Sequence, residues 1–249
     1  MRTAHSKDTQ TTTPAFIKQA SAIAEYMKTL KASEIASIMK VSPKLSETTE
    51  TLIKDWTKSP TKQSPAIDSF LGDIYSGLQA DDLDKNDRVF AQEHLIILSG
   101  LYGILKPLDG IFPYRLEMAY KLPDEQFRNL YKFWGEQLAS TIKGEPIVNL
   151  TSLEYAKALL PHVGIVEIVT PKFLTVSHKT KEPAFVAVHA KIARGAFAHW
   201  LIKERVEAFD ALPEFSDLNY KYNKKLSTKT EPVFVAKEFG GLGLSIRLT

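Results

Sequence analysis

Apolar residues recur at helical spacing soon after the start of the chain. Ile17, Ala20, Ile23, Ala24, Met27 and Leu30 fall on one face and predict a helix from Pro14 onward. Residues 1–13 carry no such period, so this polar segment is expected to be mobile. A second short helix is expected from Ser33, with Ile35, Ile38 and Met39 inward. A third follows Ser42-Pro43, an N-cap residue and a first-turn proline, and turns Leu45, Leu52, Ile53 and Trp56 inward. Only a few residues separate the second and third helices, which makes them a helical hairpin. Residues 58–65 read as a loop. Ile67, Phe70, Leu71, Ile74, Tyr75 and Leu78 predict one further helix, and the acidic run DDLDKND (81–87) opens another.

The second half is richer in strand patterns. LIILSGLYGIL (95–105) reads as a buried strand ending in glycine turns. Phe127, Leu130, Tyr131, Trp134, Leu138 and Ile142 predict one long helix. PIVNL is a short strand, and Thr151 with Glu154 has the spacing of a capping box for the helix after it. GIVEIVT, FLTVS and AFVAVHA read as strands, KIARGAFAHWLIKER as a helix and PVFVA as a last strand. Helices come first and strands later, without regular βαβ alternation. That order predicts an α+β protein, one domain over residues 1–249, with a mixed β-sheet flanked by helices.

Composition narrows the function classes. The chain has 249 residues, 44% hydrophobic and 24% charged, which is ordinary globular usage. It contains no cysteine, which excludes disulfides, thiolate metal sites and a cysteine nucleophile. No apolar run approaches the roughly 20 residues of a membrane span, and the polar start does not resemble a signal peptide. The expectation is a cytoplasmic protein without a membrane partner. A net charge of +3 is modest, so any nucleic-acid role must rest on where the lysines sit.

No Gly-rich phosphate loop, nucleophile elbow or His–Glu metal motif is present, and Gly240, Gly241 and Gly243 read as a flexible turn. No cofactor and no resident metal is expected, and no catalytic residue is assigned. Asp81, Asp82, Asp84 and Asp87 read as acids favoured in a helix's first turn, in preference to a metal site. Lys191 and Arg194, three apart in HAKIARG, fall in the first turn of the helix expected there. Cations oppose the helix dipole at that end, so a bound anion would account for them. The other reading is a pair of solvated side chains on a helix that starts earlier. Arg115 and Glu117 in PYRLEM share a face if the segment is extended. They form either a structural pair or part of the same anionic cleft.

The hairpin region carries Lys18, Lys28, Lys31, Lys40 and Lys44 against Glu25 and Glu34. Lys40 and Lys44 flank its connection, where lysines and backbone amides suit DNA phosphates without reading sequence. A solvated basic face is the alternative. Lys221, Lys224, Lys225 and Lys229 form a second cluster.

Five segments, in order, resemble blocks of the YaaA family: GDIYSGL (72–78), LSGLYGILKPLDGIFPYRLEM (98–118), LYKFWGEQL (130–138), VNLTSLEY (148–155) and HAKIARGAFAHWLI (189–202). The resemblance implies a role in tolerating hydrogen peroxide by limiting iron-mediated damage. It also implies an α+β fold with a positively charged cleft, a helix-hairpin-helix-like element and sequence-independent affinity for DNA. Mapped here, the hairpin spans about Leu30 to Leu52, with Lys31, Lys40, Ser42 and Lys44 toward DNA. Tyr114, Arg115, Glu117, Asn149, Glu154, Tyr155, Lys191 and Arg194 are the residues of shared blocks that would line the cleft. The family opens on an apolar strand followed by Ser-Pro-Ala-Lys-Thr or similar, and Met1-Arg2-Thr3 resembles the residues just beyond it. The family's YAKKARG reads HAKIARG here, with Ile192 in place of a cation and His189 gained. An enzyme acting on a nucleotide or another anionic small molecule is the alternative function.

Overall fold

The structure is a computed structural model that describes residues 1, 10–57, 63–142 and 144–241. In chain order the helices are α1 (Ile17–Met27), α2 (Ala32–Met39), α3 (Pro43–Lys54), α4 (Ala66–Ser69), α5 (Asp73–Leu78), α6 (Lys85–His94), α7 (Leu130–Trp134), α8 (Leu153–Leu159) and α9 (Ala187–Lys203). The strands are β1 (Ser64–Pro65), β2 (Ile97–Ser99), β3 (Gly103–Leu105), β4 (Gly110–Ile111), β5 (Ile147–Val148), β6 (Ile168–Val169), β7 (Lys172–Val176), β8 (Pro183–Ala184), β9 (Tyr220–Tyr222) and β10 (Val233–Ala236). The fold is α+β, as the order of helices and strands predicts. The chain groups into two compact units. One comprises Met1–Phe70, Gln92–Lys143 and Ser152–Gly164; the other comprises Leu71–Ala91, Gly144–Thr151 and Ile165–Thr249.

The first unit contains the expected helical hairpin. α2 ends at Lys40, whose backbone is left-handed (φ 51°, ψ 48°), and α3 starts after Ser42, whose hydroxyl accepts a hydrogen bond from the Leu45 N–H. Pro43 at the first position of α3 suits the turn because its missing N–H has no partner to lose. Ile35, Met39 and Ile53 are buried between the helices, with Trp56 just beyond. The aromatic core continues through Tyr102, Phe112 and Trp134. Trp56 donates to the Tyr102 hydroxyl at 2.8 Å, and Trp134 donates to the Gly100 carbonyl at 3.1 Å. LIILSGLYGIL is a tight hairpin rather than one strand: β2 and β3 pair antiparallel, Ile97 opposite Leu105. Gly103 reverses the chain at φ +71°, and a side chain there would meet Trp134 and Leu138. The long helix expected through Ile142 is only α7 and two 3₁₀ turns, because Gly135 leaves helical space after Trp134.

The second unit holds the mixed sheet, in the order β8-β7-β10-β9. β7 and β10 run parallel with Phe173 opposite Phe234, and the two outer pairings are antiparallel. Phe173, Phe215, Tyr220 and Phe234 form its core together with Phe197 of α9. α9 is bounded on another side by α5. A Cβ on Gly195 would overlap the Ile74 carbonyl, and one on Gly77 would overlap that of Ile192. The two backbones therefore touch.

Three further segments differ from the sequence reading. Ile67–Leu78 is two short helices, α4 and α5, separated by extended Phe70 and by Gly72 at φ +129°. Thr12 is anchored, in contrast to the mobility expected of residues 1–13. Its N–H donates to the Leu108 carbonyl, its carbonyl accepts from Gly110, and its hydroxyl donates to Asp109 at 2.7 Å. Residues 2–9, most of the segment expected to be mobile, lie outside the described residues, as do residues 58–62 of the expected loop and Gly243. AFVAVHA contributes only β8 before α9 begins at Ala187.

Candidate functional site

Lys31, Lys40, Ser42 and Lys44 are exposed at the α2–α3 hairpin. Lys31 is the residue before α2, and its backbone N–H donates to Glu34 at 2.9 Å. Among the described residues the three lysine ammonium groups form no ion pair, whereas Lys28 and Lys54 bond Glu25 and Glu50 at 3.0 and 2.7 Å. The connection therefore presents free cations beside the start of a twelve-residue helix.

The first unit also gathers Tyr114, Arg115, Glu117, Glu154 and Tyr155. Residues 114–118 alternate in burial without forming a regular strand: Tyr114, Leu116 and Met118 are buried, and Arg115 and Glu117 are half-buried. The expected Arg115–Glu117 pair does not form. Glu117 instead accepts from the Tyr155 hydroxyl at 2.6 Å. Burial first, then the neighbouring Tyr114 and Glu117, push the Tyr155 hydroxyl strongly up, so it remains a proton donor. Tyr114 shares a 2.6 Å hydrogen bond with Ser99, whose Oγ accepts from the Tyr102 N–H. Burial raises the Tyr102 hydroxyl to about 12, and it accepts from both Trp56 and the Phe112 N–H. Among the described residues Arg115 Nε is buried without a hydrogen-bond partner. An unmet buried donor of this kind is costly unless something accepts from it.

The expected capping box at Thr151 and Glu154 is absent. Thr151 bonds the Asn149 side chain at 2.7 Å, and Glu154 accepts from the Ala119 N–H at 2.9 Å. The carboxylate that local spacing assigns to a helix cap is drawn away to tie down the turn after Met118.

In the second unit α9 starts at Ala187, so Lys191 and Arg194 lie in its second turn and beyond. The dipole argument for an anion between them therefore fails at this position, since the effect fades within the first turn. Lys191 is exposed, Arg194 is half-buried, and neither forms an ion pair among the described residues. Burial holds the Arg194 guanidinium below its ordinary value. Asn149 is buried and its amide donates to Thr170 at 3.3 Å. His189, in the first turn of α9, stacks on Phe239 with ring centres 4.0 Å apart and shares a 3.0 Å hydrogen bond with Thr175.

The acidic run turns out to be structural. Asp84 and Asp87 cap each other's backbone N–H groups, and buried Asp87 bonds Lys203 and Arg205 at 2.9 and 2.8 Å. Burial alone would raise Asp87, but these donors outweigh it and hold the carboxyl at about 2. Asp82 lies 3.3 Å from His199. Among the described residues no three His, Asp or Glu side chains are grouped to hold a metal, and no helix is long and apolar enough to cross a membrane. In the second lysine cluster Lys221 lies in β9, and Lys229 approaches Glu167 at 3.5 Å.

A family model described as peroxide stress protein YaaA matches residues 1–226. The chain belongs to that family. A UPF0246 protein of Salinispora tropica is 49% identical over 248 residues, covering 99% of this chain and 94% of the relative. UPF0246 proteins of a Marinomonas species and of Roseobacter denitrificans are 38% and 36% identical, covering 90% and 92% of this chain and 88% and 92% of their own lengths. Membership places this chain among the peroxide stress proteins.

Sequence reasoning overlooked that Ser99 bonds Tyr114, that Tyr102 packs against it and that Trp56 in turn bonds Tyr102. The signal was weak: a serine and a tyrosine three apart in LSGLYG, and a tryptophan already assigned to the core. It also overlooked Lys121, Arg128 and Lys132, spread along a segment read only for its apolar face.

Proposed function

We propose that this member of the peroxide stress family binds DNA through phosphate contacts from the α2–α3 hairpin, without reading sequence, and thereby limits iron-mediated damage to the strand. The observation that carries the reading is the pair of exposed ammonium groups of Lys40 and Lys44, unpaired among the described residues, on either side of the Ser42 cap. Lys40 holds the left-handed position that closes the hairpin and Lys44 lies in the first turn of α3, so the backbone fixes where both side chains begin. Such contacts confer affinity and orientation and carry no base information.

Fluorescence anisotropy with two unrelated duplexes, titrated between about 50 and 200 mM KCl, tests this reading. Both duplexes should bind alike, and log K should fall linearly with log salt. Lys40→Ala/Lys44→Ala should flatten that slope by about 2, roughly one for each ammonium group removed. The same variant should leave a plasmid less protected from nicking by ferrous iron and peroxide. Absence of binding at the lowest salt, or an unchanged slope in the variant, overturns the proposal.

A second reading is an anionic small molecule bound, or acted on, at Arg115. The Arg115 Nε, unmet among the described residues, and the Tyr155–Glu117 pair two residues along the chain favour it, because they offer a cation, a proton donor and a carboxylate. Thermal-shift screening with nucleotides tests it. A stabilisation by one compound that Arg115→Gln removes supports the reading; no stabilisation by any of them counts against it.

A further inference from the structure

The first unit carries another concentration of positive charge that the hairpin does not include. Lys121, Arg128 and Lys132 line a hollow of about 330 Å³ together with Glu125, Gln126 and Asn129. All six are exposed, and among the described residues the three cations form no ion pair. Three positive groups against one carboxylate leave the hollow with an excess of positive charge. Like charges lining one hollow repel one another, and a bound anion relieves that repulsion.

The rim of the hollow is held from beneath. Leu122, Phe127 and Leu130 are buried. The Phe127 ring lies 5.6 Å from Tyr26 and 5.2 Å from Phe133. Asp124 is occupied by its own loop, accepting from the Gln126 and Phe127 N–H groups at 2.8 and 3.1 Å, so its charge is partly satisfied. Asn129 accepts from the Lys132 N–H at 3.2 Å, which leaves its amide group free to donate. Through the Tyr26–Phe127 contact the segment is held against α1, the helix that precedes the hairpin.

We propose that this hollow holds a further backbone phosphate of the DNA engaged at the α2–α3 hairpin, with Arg128, Lys121 and Lys132 as its cationic contacts. The proposal rests on the DNA-binding reading and extends it to a second anchor on the same unit. A guanidinium fork and two ammonium groups suit a phosphodiester's two free oxygens, and a second anchor fixes the direction in which the strand leaves the hairpin.

The test is the same anisotropy titration on the full chain, with circular dichroism to confirm folding. Lys121→Ala/Arg128→Ala/Lys132→Ala should lower the salt slope by about 1, since the three cations share one phosphate. Glu125→Gln, which removes the hollow's carboxylate, should bind more tightly than the parent at every salt concentration. This gain cannot come from misfolding. If the triple variant keeps the parental slope while Lys40→Ala/Lys44→Ala lowers it, the hollow is refuted and the hairpin reading stands. If the parent protein binds no duplex, or neither variant changes the slope, both fall together.

Discussion

Gly195 lies where α9 crosses α5, and replacing it with alanine tests how that helix is held. A Cβ at this position would overlap the Ile74 carbonyl and come within 2.6 Å of the Leu78 nitrogen and 2.9 Å of the Gly77 carbonyl carbon. These are backbone atoms, so no side-chain rotation relieves the overlap and the helices must separate. Overpacking of a core typically costs about 1–3 kcal/mol, and a clash with a rigid backbone belongs at the upper end or above it. Alanine is the better helix former by up to about 1 kcal/mol, which offsets part of the loss. The net expectation for Gly195→Ala is about 2–3 kcal/mol of destabilisation, or about 4–12 °C in the melting temperature of a chain of this size. Calorimetry or thermal circular dichroism measures it. Gly77→Ala should cost a similar amount, since its Cβ would overlap the Ile192 carbonyl and lie 2.9 Å from the Ala196 nitrogen. The double variant should cost less than the sum, because helices already separated by one methyl have room for the other. A Gly195→Ala protein melting within about 2 °C of the parent, or strictly additive losses, would refute the close-contact argument.

Asp87→Asn should destabilise the chain by about 1–2 kcal/mol at pH 7, a figure reduced because Lys203 and Arg205 are partly solvated. The sign follows from the depressed carboxyl. Stability from Asp87 is fully present above the unfolded value near 3.8 and is lost as pH falls toward about 2, so urea midpoints of parent and variant should converge there. A gap that persists at the lowest pH contradicts the assignment. Tyr155→Phe removes the 2.6 Å bond to Glu117 and should cost about 1–2 kcal/mol in urea unfolding, the low end for a bond to a half-buried carboxylate. An unchanged midpoint would show that water replaces it without loss. His189→Phe should reduce the loss of stability on acidification from neutral pH. Burial lowers the His189 value below 6.5, so its contribution is present above that pH and declines as pH falls below it. Thermal melts at several pH values read this out, and parallel pH profiles in parent and variant count against it.

Helices α1, α2 and α3 were legible because every cue they need is local: a 3.6-residue apolar period, Ser42 before Pro43, and only a few residues of connection. Strands β7 and β10 and the mixed character of their sheet were legible for a similar reason, as short apolar runs far apart in the chain. Neither Lys191 nor Arg194 could be placed in this way. Whether β8 continues to Ala190 or yields to α9 at Ala187 depends on α9 packing over Phe173 and Phe234 and against α5. Glu154 shows the same limit. Its spacing from Thr151 fits a cap, but the carboxylate instead accepts from the Ala119 N–H, 35 residues away in sequence. The acidic run at Asp81–Asp87 read as first-turn acids, but that Lys203 and Arg205, more than a hundred residues later, bond Asp87 was not legible in it. By itself, then, the sequence determined the α+β class, the hairpin and the family. Tertiary structure alone decided which charges are consumed by partners and which stay free, because an ion pair depends on distance in space and periodicity records only distance along the chain.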